Sequence, residues 1–111
     1  MKLPNRKKAS IKKEKINYLI SLTDPVGKLK AGFFRPIGFN EANTSQLKQE
    51  FYNIAQNNEI KSTRASADNS GINYEIRGIL AAPNGKKYPI TTIWFIKTGT
   101  KIPSFITAYP V

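Results

Sequence analysis

The chain has 111 residues, 40% of them hydrophobic, and carries eighteen Lys and Arg against seven Asp and Glu, a net charge of +11. That length fits one domain, spanning residues 1–111, with enough apolar residues to fill a core. Without a single Cys or His, disulfide frameworks, thiolate metal sites, Ser-His-Asp triads and cysteine nucleophiles are all excluded.

The first nine residues, rich in Lys and Arg, read as a basic arm that is only partly ordered. No apolar stretch follows them as in a secretory signal, and no run approaches the ~18 apolar residues of a membrane span. A soluble, cytoplasmic protein without a membrane partner is therefore expected. Ser10 is placed to cap a helix over 11–22, with Ile16, Leu19 and Ile20 on one side and Lys12, Lys13 and Lys15 opposite. The Thr23-Asp24-Pro25-Val26-Gly27 segment breaks it, because proline keeps its predecessor out of helical angles. A helical turn resumes over 28–34 until Pro36 and Gly38, and Phe33, Phe34 and Phe39 read as core anchors. Leu47, Phe51, Ile54 and Ala55 recur at helical spacing over 44–57, where Asn43 and Gln46 suggest a capping box.

Beyond residue 58 the period changes to two. Strands are expected over 59–66, 72–81, 87–97 and 103–109, separated by turn signals at 68–71, 83–85 and 97–100. Asn84-Gly85 is the strongest of these, since it tolerates positive φ. Short links of this kind imply a four-stranded antiparallel meander. The fold class is α+β, with N-terminal helices packed on one face of the meander and the other face left open. On the third strand Tyr88, Ile90, Thr92, Trp94 and Ile96 point one way, and Thr91, Ile93, Phe95 and Lys97 the other. On the fourth, strict alternation puts Phe105, Thr107 and Tyr109 together.

Charge is uneven along the chain. Residues 1–35 hold ten basic and two acidic side chains, residues 36–71 three and four, and residues 72–111 five and one. If the two basic ends fold together, their fields add over one face and attract a polyanion, nucleic acid first among them. An aromatic face flanked by cations suits RNA, since bases stack on rings while cations hold phosphates. Lys12, Lys13, Lys28, Arg35, Arg77, Lys97 and Trp94 are the residues expected to make that nucleic-acid surface. Trp94, Phe105 and Tyr109 also have a plainer reading as core or edge residues. The scattered acids offer no cluster for a hard cation, so no metal and no other cofactor is expected. Glu59 and Glu75 are better suited to pairing with neighbouring cations across the sheet.

Leu3-Pro4-Asn5, Pro25-Val26-Gly27-Lys28-Leu29-Lys30-Ala31-Gly32-Phe33-Phe34 and Thr107-Ala108-Tyr109-Pro110 resemble the motifs of a family of small uncharacterised bacterial proteins with a toxin-like character. Some members are encoded beside a small acidic, antitoxin-like protein. The helix-then-meander layout is more loosely similar to the barnase, EndoU, colicin and RelE superfold of metal-independent ribonucleases. Together these resemblances imply an endoribonuclease toxin of a bacterial conflict system, with RNA as substrate and an acidic antitoxin or immunity protein as partner. Metal-free cleavage needs an aligned 2′-hydroxyl, cations on the phosphate and a proton donor. The corresponding expectation puts Lys30 on phosphate and Thr107 and Tyr109 on the 2′-hydroxyl or leaving group, with Asp24 as base. In the small family the residue before the motif's proline is often His, where this chain has Asp24. The alternative is a non-catalytic basic module that binds nucleic acid or an acidic partner protein.

Overall fold

The computed structural model describes residues 1–25 and 27–111; Val26, within the expected helix break, lies outside the described residues. Three helices, α1 (Lys13–Leu19), α2 (Gly27–Phe34) and α3 (Thr44–Asn57), precede four strands, β1 (Ile60–Ala65), β2 (Gly71–Ala81), β3 (Lys87–Lys97) and β4 (Ser104–Pro110). The strands form one antiparallel sheet in the order β1-β2-β3-β4. This is the expected α+β meander.

α1 is shorter than its apolar spacing implies because Ser10 is used elsewhere. Its N–H donates to the Pro103 carbonyl (2.8 Å) and its carbonyl accepts from the Phe105 N–H (2.8 Å), so Ser10 joins the edge of β4 instead of capping a helix. The helix starts after Lys12, with no side-chain cap. The N-terminal residues, expected as a loose arm, are docked. Leu3 is buried in the core, the Met1 carbonyl accepts from the Ile60 N–H (2.7 Å), and Asn5 Nδ2 donates to the Lys101 carbonyl (2.9 Å). The segment thus passes from the start of β1 to the start of β4.

α2 is a full helix rather than a turn, and it buries Ala31 and Phe34. α3 matches its expected span and buries Leu47, Phe51, Ile54 and Ala55. Asn43 makes no side-chain cap there. Its amide instead braces the preceding loop, accepting from the Asn40 N–H and donating to the Gly38 carbonyl, each at 2.8 Å. Gly38 needs its φ of 112°, and a Cβ there would come within 2.8 Å of the Pro83 ring.

Helices and sheet meet in an aromatic centre. Phe51 stacks on Phe105 with centroids 4.8 Å apart, Phe34 meets Phe51 edge-on at 6.1 Å, and Trp94 meets Phe105 edge-on at 5.4 Å. Burial of this kind is the main favourable term in folding, at about 25 cal/mol per Å² of apolar surface removed from water. Trp94 is fully buried, which corrects its expected place on a nucleic-acid surface. Its indole N–H donates to Thr92 Oγ1 (2.9 Å), whose hydroxyl donates to the Ile76 carbonyl (2.8 Å).

A second correction concerns β4. The register shifts between Ile93 and Trp94, with Thr107 opposite Ile93 and Phe105 opposite Trp94, leaving Ile106 as the extra residue. A bulge of this kind puts two residues against one and changes the phase of the alternation. Phe105 and Ala108 therefore face the helices, while Thr107 and Tyr109 face the open side of the sheet with their register partners.

Candidate nucleic-acid interface

The register lays out three rows across the open face. Arg77, Thr91 and Tyr109 form one, Ser62, Glu75, Ile93 and Thr107 the next, and Arg64, Asn73, Phe95 and Ser104 the third. Adjacent strands lie about 4.8 Å apart, so side chains in one row are direct neighbours. Glu75 is held in its row and by the next, accepting from Ser62 Oγ (3.0 Å) and Arg77 Nε (3.1 Å). The cation, Arg77, lies two residues along the same strand, so the partner expected across the sheet is the Ser62 hydroxyl and not a cation. Thr91 is 1% exposed, and its hydroxyl has no hydrogen-bond partner among the described residues. Its register neighbours Arg77 and Tyr109 flank it.

At the β4 edge, Lys30 of α2 sets its ammonium over the Tyr109 ring, 4.8 Å from the centroid, a favourable cation–π geometry. Burial pushes the Lys30 pKa below the usual lysine value. Lys30 also lines an open cleft of about 540 Å³ with Glu14, Lys15, Tyr18, Ile106 and Thr107. The buried Thr107 Oγ1 has no hydrogen-bond partner among the described residues. On the sheet face a separate trough of about 450 Å³ is lined by Ser62, Arg64, Asn73, Glu75, Ile93 and Tyr109. Lys30 lines the edge cleft and Tyr109 the trough, so the ring stands between the two.

The structure therefore brings together Lys30, Thr107 and Tyr109, with Arg77 two strands further in and Lys97 exposed at the end of β3. It does not bring in the rest. Asp24 Oδ1 accepts from the Gly27 N–H (2.7 Å) and so serves the first turn of α2. Arg35 Nε donates to the Ile20 carbonyl (2.7 Å), and its guanidinium pairs with Glu41, which occupies it in joining α1 to the loop after α2. Lys12 and Lys28 are exposed and line neither cleft, and Lys13 lines a third depression with Thr44, Ser45 and Lys48. Glu14, Tyr18, Arg64, Asn73 and Thr91 were not anticipated as site residues. A period of two along β2 puts Asn73 on the same face as Arg77, which was expected at the site, so choosing the exposed face of β2 finds Asn73 as well. Among the described residues no group of three or more Cys, His, Asp or Glu is placed to hold a metal ion, and no helix is long and apolar enough to cross a membrane.

Among solved structures, the chain is similar to one from the contact-dependent growth inhibition toxin–immunity protein complex of Klebsiella pneumoniae 342, at 19% identity and a TM-score of 0.69, covering 91% of this chain and 98% of that one. At that identity the likeness is one of fold. No curated protein matches the sequence. Residues 2–111 match the family described as Domain of unknown function (DUF6883), and the chain belongs to that family.

Proposed function

We propose that the protein is a toxin-like, metal-independent endoribonuclease domain whose basic face grips RNA and which an acidic antitoxin or immunity protein holds in check. The observation that carries this reading is the Lys30 ammonium poised on Tyr109 beside the unpartnered hydroxyl of Thr107, at the edge of a strongly cationic chain. A phosphodiester in the edge cleft meets Lys30 and Thr107 at its non-bridging oxygens, where fixed donors stabilise charge as it develops. Glu14 is the carboxylate on that cleft and takes the proton of the attacking 2′-hydroxyl, whereas Asp24, which holds the Gly27 N–H, does not line it. The oxygen–phosphorus bond to the 5′-oxygen breaks, and Lys30, made more acidic by burial, protonates the leaving oxygen. The products are a 2′,3′-cyclic phosphate and a 5′-hydroxyl.

Incubating purified protein with total bacterial RNA, with and without a chelator, and mapping the product ends tests this directly. Chelator-resistant fragments ending in cyclic phosphate are expected, and Lys30→Ala should slow their formation by about 100-fold or more, the usual cost of removing one transition-state donor. Cleavage by Lys30→Ala at the parent's rate would remove this site.

One observation favours a second reading, a non-catalytic basic module that docks an acidic surface: the similar fold belongs to a complex of two proteins. It predicts intact RNA and salt-sensitive capture of an acidic protein.

A further inference from the structure

Resting on the ribonuclease reading, we infer that the trough on the open face of the sheet is a subsite for one unstacked nucleobase, with Tyr109 as its stacking wall and the edge cleft on the far side of the ring holding the adjoining phosphate. Tyr109 is 37% exposed on an otherwise well-packed strand, and Lys30 takes one side of its ring. The trough meets Tyr109 independently of Lys30 and is floored by Ile93, an apolar surface of the kind that accepts a base edge-down against an aromatic wall. Opposite stand Arg64 and Asn73. The Asn73 amide presents both donors and an acceptor, which suits the mixed edge of a base better than the uniform acceptors of a phosphate, and the Arg64 guanidinium adds donors for a base's ring nitrogen or carbonyl. Glu75 reinforces that division. Its carboxylate lies in the trough and repels a phosphate there, while each oxygen, already holding one donor, has a lone pair left for a base N–H.

The assignment gives the two depressions different tasks. Cations and hydroxyls around Lys30 take the backbone, and Tyr109, Asn73 and Arg64 take the base.

Two short strands with 2′-O-methyl riboses, which cannot be cleaved by 2′-hydroxyl attack, provide the test: one bears bases, and the other, of equal length, is abasic. Fluorescence anisotropy then gives affinities for the parent, Tyr109→Phe, Tyr109→Ala and Asn73→Ala, with circular dichroism confirming that each is folded. Base–aromatic stacking predicts that Tyr109→Ala weakens the base-bearing strand by roughly 5- to 150-fold more than the abasic strand, whose only loss is that of the Lys30–ring contact. Tyr109→Phe, which keeps the ring, should bind like the parent, and Asn73→Ala should blur the preference among bases. Equal losses for both strands, or parent affinities that do not distinguish them, would overturn the subsite and leave the phosphate grip standing. A parent that binds neither strand at low salt overturns the ribonuclease reading and the subsite with it.

Discussion

Thr92 makes two bonds with one hydroxyl, donating to the Ile76 carbonyl and accepting from the Trp94 indole. The second of these allows the largest side chain in the protein to be buried with its N–H satisfied, because an unpaired buried donor carries its full desolvation cost. Thr92→Val keeps the shape and removes both bonds, so we expect a loss of about 1–3 kcal/mol, read as a lower urea midpoint at unchanged slope. Thr107 and Thr91 are the contrast. Their hydroxyls are buried without partners on the other face of the same sheet, so one residue type anchors the core on one side and is left unsatisfied on the side proposed to bind RNA. Lys30 shows a similar economy. Its stem packs close enough to β4 for burial to lower the ammonium's pKa, and the head still reaches the Tyr109 ring.

The elements owe their relative placement to a few local devices. β2 and α3 approach closely because residue 78 is glycine; a Cβ there would lie 2.8 Å from both Ile54 Cγ2 and Asn58 Nδ2. The β2–β3 hairpin closes with Gly85 alone at positive φ, whereas a type I′ turn would need it at Asn84 too. In the β1–β2 connection, Asn69 takes the left-handed conformation at φ 58°, and Asp68 accepts from the Ser70 N–H (3.0 Å) and Ser66 Oγ (2.9 Å). Hydrogen bonds from Ser70, with Ser66 adding to them, push the Asp68 pKa down to about 2. The folded value lies below the unfolded one, so the charged form favours the folded state above the ordinary Asp range, and that contribution is lost as pH falls towards 2. The protection factors of the Ser70 and Gly71 amides, taken against the intrinsic exchange rate at each pH, should therefore fall over that interval in the parent and stay level in Asp68→Asn.

At the scale of the whole molecule, the basic beginning and the terminal strand share a surface, since Lys15 and Lys30 line one cleft with Thr107. Their fields add where a polyanion would lie, with the remaining positive charge spread around them. Binding to single-stranded RNA should accordingly depend steeply on salt. If four phosphates are neutralised, raising salt from about 50 to 200 mM should lower affinity about 50-fold. A flat salt profile in filter binding would show that the cationic surface does not hold the backbone. The N-terminal segment adds to this organisation. By passing from β1 to β4 with Leu3 in the core, it carries Arg6, Lys7 and Lys8 as a 3-10 turn fixed to the body of the protein.

Helix and strand spans follow closely from periodicity, because a buried stripe recurs every 3.6 residues in a helix and every second residue in a strand. That periodicity placed α3 and the four strands, and the short turn signals between the strands set the meander order. The motif of Lys30 and the terminal Thr-Ala-Tyr-Pro marked two parts of the site that do meet. Periodicity is a local signal, however, and three facts depended on contacts distant in sequence. Ser10 left its cap to pair with β4, Trp94 turned into the core where Thr92 and Phe105 receive it, and the bulge at Ile106 separated Phe105 from Thr107 and Tyr109. Alternation divides a strand into two faces without naming the one the helices will cover. Only the packing of α3 and Phe51 against Phe105 chose it, and with it the side on which Tyr109 and Asn73 line the trough.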